Sequence, residues 1–80
     1  MMKPVDMIYE ELRGADLDYI RFRIMHYRLK IFGLKAKLRD PNHVEDMCPS
    51  LEVQLIYTRK YLAAAKRALA EALEKWIIVN

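Results

Sequence analysis

The chain has few side chains of the types that carry catalysis or bind metal ions. It contains two histidines, His26 and His43, and one cysteine, Cys48. Neither histidine has a nucleophile at helical spacing, and the three residues do not have the ligand-pair spacing of a zinc site. The sequence also lacks a glycine-rich phosphate loop and a paired-carboxylate motif. We therefore expect a protein that is not an enzyme and that has no metal site and no cofactor.

Basic side chains point instead to an anionic ligand. Residues 15–39 contain seven basic and two acidic residues, and no acidic residue lies between Asp18 and Asp40. Like charges along a helix cost about a few tenths of a kcal/mol per close pair, so rows without acidic partners indicate anions nearby. The alternative is a solvated face whose long side chains cover the edge of the core. The two rows are Arg21, Arg28 and Lys35, and Arg23, Lys30 and Lys37.

Five tyrosines are interleaved with this charge. Tyrosine rings beside Arg and Lys can stack on nucleotide bases while the cations bind phosphates. In the alternative interpretation, Tyr27 belongs to the core and the other four tyrosines lie at the boundary between core and solvent. The candidate ligand-binding residues are Tyr19, Arg23, Arg59 and Lys60.

Helices must position these side chains, and two are predicted in the first half of the chain. Pro4 suits the first position of a helix, and Gly14 suits the left-handed conformation that ends one, which predicts a short helix over 4–13. A long helix is predicted over 16–39. Asp16 suits its N-cap, and the helix should end before Pro41, because the residue before a proline disfavours helical geometry.

A second long helix is predicted over 50–77, with Ser50 or Cys48 as its N-cap. Both long helices carry apolar residues at the alternating spacing of three and four that is typical of a coiled-coil seam. We expect an antiparallel helical hairpin within one all-α domain, residues 1–80. The seam residues are Leu17, Ile20, Ile24, Tyr27, Ile31, Leu34 and Leu38 in the first long helix, and Leu51, Leu55, Thr58, Leu62, Ala65, Leu69, Ala72 and Trp76 in the second.

The first long helix carries a second apolar stripe opposite its seam, formed by Phe22, Met25, Leu29, Phe32 and Ala36. A helix that is apolar on two faces must be buried on two faces, and the hairpin partner covers only one. A chain of this length buries too little surface to be stable without an added source of stability. An internal disulfide cannot supply it, because the chain has a single cysteine. We therefore expect a homo-oligomer. The alternative is that the short N-terminal helix covers the stripe.

The start of the second long helix resembles a motif of small phage proteins. Cys48-Pro49-Ser50-Leu51-Glu52-Val53-Gln54-Leu55-Ile56-Tyr57-Thr58, followed by Ala63, is similar to the pattern C-P-(x)-S-x-E-x-x-L-x-x-T and an Ala-rich helix. That pattern is found in the hairpin family of anti-CBASS and anti-Thoeris cyclic-nucleotide sponges. Tyr19-x-x-x-Arg23 is similar to a spacing near the start of the family's first long helix. The chain departs from the family at Lys66, where an aromatic residue is expected, and in a longer loop over 40–47.

The resemblance implies a protein that sequesters a cyclic oligonucleotide immune messenger without chemical change. It implies a homo-oligomer, commonly a hexamer, with ligands between protomers. Tyr19 would stack on a base and Arg23 would contact a phosphate, with Arg59 and Lys60 contributing from the other helix. The alternative function is a small oligomeric regulator that binds other proteins or nucleic acid. The N-terminus lacks the apolar core of a signal peptide, and no apolar run approaches the about 20 residues that span a bilayer, so we expect a cytoplasmic protein without a membrane partner.

Overall fold

In a computed structural model the chain folds into three helices. Helix α1 spans Val5–Leu12, α2 spans Leu17–Arg39 and α3 spans Leu51–Val79. The structure describes residues 3–40 and 50–79, with side chains to residue 75. All regular secondary structure in these ranges is helical, which confirms the all-α prediction. His43 and Cys48, together with the predicted loop, lie outside the described residues.

The helix ends follow local chemistry, with one correction. Pro4 was predicted as the first helical residue, but its ψ of 143° is extended, so it precedes α1 as the N-cap. Gly14 has a φ of +83°, the left-handed conformation that glycine adopts at least cost. Asp16 is the N-cap residue of α2, although its side chain makes no capping hydrogen bond. The N–H of Val53 donates to Oγ of Ser50 over 3.3 Å, so Ser50, one of the two predicted N-cap residues, caps α3.

Helices α2 and α3 pack along each other in a hairpin-like arrangement. Ile20 and Ile24 of α2 are 0% and 6% exposed, and Thr58 and Ala65 of α3 are 1% and 0% exposed. Every described seam residue is buried or half-buried, which confirms the seam for the described side chains. The side chain of Trp76, the last predicted seam residue, lies outside them.

Helix α1 packs against α3 and leaves the outer face of α2 open. Ile8 and Leu12 of α1 join one apolar cluster with Tyr61, Ala64 and Ala68 of α3. The alternative in which the short helix covers the second stripe of α2 is therefore wrong. The physical reason is the small alanine side chains of α3, which let a short helix approach closely. The stripe remains 61–74% exposed at Phe22, Met25, Leu29 and Phe32.

Candidate anion-binding site

Arg23, predicted to contact a phosphate, lies where α1 meets α2. Its guanidinium donates to the hydroxyl of Tyr27 and, over 3.1 Å, to the hydroxyl of Tyr19. The same group lies 3.6 Å from a carboxylate oxygen of Glu11, and the side chain of Arg23 is only 18% exposed. The positive charge is therefore already paired within the chain, and an incoming phosphate would compete with Glu11.

Glu11 joins a second cation to this cluster. Nζ of Lys3 lies 2.9 Å from a carboxylate oxygen of Glu11, and the hydroxyl of Tyr61 donates to the backbone carbonyl of Lys3 over 2.6 Å. The hydrogen bond from Lys3 holds the pKa of Glu11 below its usual value, against an opposing effect of desolvation. Partial burial lowers the pKa of Arg23, but hydrogen bonds to the two tyrosine hydroxyls outweigh burial and raise it. The cluster thus links α1 to α2 through the ion pair of Glu11 and Arg23, and it links the residues just before α1 to α3 through the hydroxyl of Tyr61.

The structure brings two of the four predicted site residues together. Arg23 lies over the ring of Tyr19, 5.9 Å from its centroid, and Tyr19 is 47% exposed, so part of the ring is open to solvent. Arg59 and Lys60 are exposed on α3. The ammonium group of Lys60 lies 5.5 Å from the ring centroid of Tyr57, and Lys60 borders a groove between α3 and α1. Lys60 therefore lines a different groove from the pair of Tyr19 and Arg23, and a role for Arg59 stays a prediction.

A basic groove between α2 and α3 is the arrangement that sequence reasoning missed. It has a volume of about 440 Å³, and its cations are Arg21 and Arg28 from α2 and Lys66 from α3. All three are exposed, and none of the described residues that line the groove is acidic. The spacing of Arg21 and Arg28 by two helical turns is visible in the sequence, but only the packing of α2 on α3 adds Lys66. The remaining lining is apolar and consists of Ile24, Met25 and Leu69.

Two other grooves suit an anion less well. A larger one, of about 660 Å³, contains Asp16 and Asp18 beside Arg21 and Lys75, so its charges balance. The other is the groove that Lys60 borders, which has a volume of about 300 Å³. There the guanidinium of Arg67 already lies over the ring of Tyr9, 4.3 Å from its centroid.

Arg67 is further engaged by an acidic partner. It pairs with Glu71 over 3.5 Å, and Glu71 also accepts a hydrogen bond from the hydroxyl of Tyr9. In contrast, none of the three cations of the 440 Å³ groove forms an ion pair with a described residue. This groove is therefore the best candidate site for an anion.

No protein family, curated protein or solved structure matches the chain. The resemblance to cyclic-nucleotide sponges thus stays a hypothesis that rests on the quoted residues. Within residues 3–40 and 50–79, no group of three or more His, Cys, Asp or Glu side chains is placed to hold a metal ion. No helix in that part of the chain is long and apolar enough to cross a membrane.

Proposed function

We propose that this protein is a non-enzymatic binding protein that sequesters a small phosphorylated ligand, most concretely a cyclic oligonucleotide. The groove of Arg21, Arg28 and Lys66 carries the proposal, since it sets three cations around an apolar floor and none of its described lining residues is acidic. The phosphates of the ligand would bind the three cationic side chains, and its bases would pack against the apolar floor of the groove. Each charge-assisted hydrogen bond contributes roughly 1.5–3 kcal/mol, which is enough to hold a dianionic ligand.

The proposal places this groove on an antiparallel helical hairpin that assembles into a homo-oligomer. Such a protein would act as a phage anti-defence sponge, and a hexamer is the assembly that the family resemblance implies. Within this proposal the pair of Tyr19 and Arg23 is a secondary contact, because Glu11 already neutralises Arg23. Roles for Arg59 and Lys60 in ligand binding stay predictions.

Calorimetry with a panel of cyclic di- and trinucleotides tests the proposal. We expect the wild type to bind at least one member and to release it intact after denaturation. Arg28→Ala and Lys66→Ala should each weaken binding about ten- to a hundredfold, because each removes a charged donor. Lys30→Ala is the matched control, since it removes an exposed cation of α2 that does not line the groove. Failure of the wild type to bind any member of the panel would refute the proposal.

A second candidate function is binding of nucleic acid, favoured by the row of Arg21, Arg28 and Lys35. These residues are exposed and follow one another at two-turn intervals, about 10.5 Å along α2. A nucleic acid lying along this row would bind with a steep inverse salt dependence. Lys35 separates the two functions: Lys35→Ala should weaken nucleic-acid binding as much as Arg28→Ala does. It should leave the binding of a ligand in the groove unchanged, because Lys35 does not line it.

A further inference from the structure

The outer face of α2 is an apolar stripe that no described residue covers. Its four large side chains are 61–74% exposed and extend over more than two turns of the helix: Phe22, Met25, Leu29 and Phe32. They expose roughly 400–600 Å² of surface, since a large side chain has about 150–250 Å². The largest apolar patch of an ordinary monomer is about 300–600 Å² and often functional. The stripe is thus large enough to be a contact surface.

We propose that a second copy of this chain covers the stripe, with the two α2 helices antiparallel and related by a two-fold axis at Leu29. Two stripes together would bury roughly 800–1,200 Å². Specific interfaces start at about 1,000–1,200 Å², so we expect a reversible association in the micromolar range. The inference deepens the proposed homo-oligomer by naming its contact face, and it holds whatever the ligand of the groove is.

The order of large and small residues along α2 supports this pairing. Ala36 lies as far after Leu29 as Phe22 lies before it, and Gly33 and Met25 are related in the same way. In an antiparallel pair centred on Leu29, Phe22 therefore faces Ala36 and Met25 faces Gly33, while Leu29 faces its own copy at the axis and Phe32 faces His26. Two helices related in this way approach closely at both ends of the contact.

Gly33 gives independent support for a helical partner. It lies inside α2, where glycine is the least favourable residue apart from proline. No neighbouring atom lies within 4 Å of the position that a Cβ would take, so packing within the chain does not require glycine there. A closely facing helix does require a small residue. A lipid surface, the other partner that a basic apolar face suits, would not.

The basic rows beside the stripe make this association depend on anions. In the proposed pair Arg28 lies next to Arg28 of the second copy, and Arg21 lies next to Lys35 of that copy. Like charges in such a contact repel, and no acidic residue between Asp18 and Asp40 relieves them. Salt and multivalent anions should therefore strengthen the association, because they screen or bridge these pairs.

Sedimentation equilibrium over a range of protein and tripolyphosphate concentrations is the first test. We expect the wild type to associate more tightly as tripolyphosphate rises. Phe32→Ser should weaken the association about 30-fold or more, as truncation of a central contact does, with unchanged helicity by circular dichroism. Arg28→Gln should tighten the association at low salt and reduce its dependence on tripolyphosphate, because it removes one of the three like-charge contacts of the pair. The same variant weakens ligand binding under the proposed function, so the two proposals fail separately.

Cysteine cross-linking in a Cys48→Ser background tests the register. Leu29→Cys should form a disulfide-linked dimer, and so should an equal mixture of Met25→Cys and Gly33→Cys. Met25→Cys alone should not, because its two copies lie roughly 12 Å apart along the helix axis and a disulfide needs Cα atoms within about 7 Å. Glu74→Cys, on an exposed position of α3, is the control for random collisions.

Three results would overturn the proposal. The first is a mass of 9.5 kDa at every protein and tripolyphosphate concentration. The second is a Leu29→Cys variant that cross-links no faster than Glu74→Cys. The third is a wild type that stays monomeric but sediments with phosphatidylserine vesicles, together with a Phe32→Ser variant that no longer binds these vesicles. That result would assign the stripe to a lipid surface.

Discussion

The two faces of α2 carry nearly the same apolar pattern but differ in burial. On the inner face Ile20, Ile24 and Tyr27 are 0–6% exposed, whereas Phe22 and Phe32 on the outer face are 62% and 74% exposed. Both faces follow the alternating spacing of three and four that predicts a buried stripe. The faces differ in what packs against them. Helix α3 covers the inner face, whereas α1 docks on α3 and leaves the outer face open. Periodicity therefore predicts that a face is built for contact, but it does not identify the partner.

Charge separates the two faces further. The outer stripe is flanked by the exposed row of Arg21, Arg28 and Lys35, and the first two of these also line the basic groove. On the other flank of α2, Arg23 is held by an acidic residue of α1 over 3.6 Å. Arg23 is thus paired within the chain, whereas Arg21, Arg28 and Lys35 form no ion pair with a described residue.

The largest expected effect separates the inner face from the outer one. Ile24→Asp places a charge at a seam position that is 6% exposed, which should cost at least about 3–4 kcal/mol and unfold the chain. Leu29→Asp, on the outer face, should change the free energy of unfolding by about 0.5 kcal/mol or less at low protein concentration. Urea titrations followed by circular dichroism measure both. Equal losses of stability would show that the outer face is also part of the monomer core.

A buried and an exposed position can also be compared on α3, where we expect a smaller loss of stability. Ala65 is 0% exposed against α2, so Ala65→Leu should overpack the seam and cost about 1–3 kcal/mol. Ala70→Leu adds the same side chain at an exposed position and should leave the melting temperature almost unchanged. Thermal melts of the two variants give the comparison directly. A seam that accepts Ala65→Leu without loss would mean that the contact between α2 and α3 is looser than the burial of Ala65 indicates.

The sequence predicted the helices and the seam well because both depend on local chemistry and long periodic patterns. Pro4, Gly14 and Ser50 mark helix ends through their own backbone or side-chain preferences. The docking of α1 was not predictable, because the alanines that receive it at 64 and 68 resemble ordinary helix-forming residues. Only the tertiary packing showed that α1 docks on these alanines of α3 and leaves the outer stripe of α2 open.

The site was predicted only in part, for a similar reason. The contact between Tyr19 and Arg23 follows from their spacing by four residues on one helix. The neutralisation of Arg23 by Glu11 joins two helices, and the sequence does not fix which residues of two helices meet. Lys66 likewise completes the basic groove only through the register of α2 against α3. Contacts within a helix were therefore predictable, whereas contacts between helices were not.

Two arginines on opposite flanks of α2 should have opposite roles. Arg23→Ala removes the link to Glu11 and two tyrosine hydroxyls, so it should destabilise the docking of α1 by about 1–2 kcal/mol. Arg21→Ala should have little effect on stability but weaken ligand binding about tenfold or more, since it removes a groove cation. Thermal melts and calorimetry on both variants measure the two effects. A reversed result would move the binding site to the pair of Tyr19 and Arg23.

The smallest expected effect is a pH dependence that is larger in α1 than in the rest of the fold. The pKa of Glu11 lies below its usual value of 4.5, chiefly through the hydrogen bond from Lys3. Because the folded chain favours the carboxylate, Glu11 contributes stability above about pH 4.5, and this contribution is lost as the pH falls through the lowered pKa. The pKa of Lys3 is raised from 10.5 by the same hydrogen bond, so its contribution is present below pH 10.5 and is lost at higher pH.

Solvent screening keeps this effect small, since the side chains of Lys3 and Glu11 are 57% and 34% exposed. We expect the hydrogen-exchange protection of α1 amides, corrected for the intrinsic effect of pH, to fall between pH 6 and pH 3.5. Protection at the α2–α3 seam should fall less, because described seam residues such as Ile24 and Ala65 have no charge to lose. Glu11→Gln should show reduced protection of α1 already at pH 6 and a flatter response to acid. If α1 is equally protected in both proteins at pH 6, the charge of Glu11 contributes nothing to the docking, and α1 is held on α3 by its apolar burial and by the hydrogen bond from Tyr9 to Glu71.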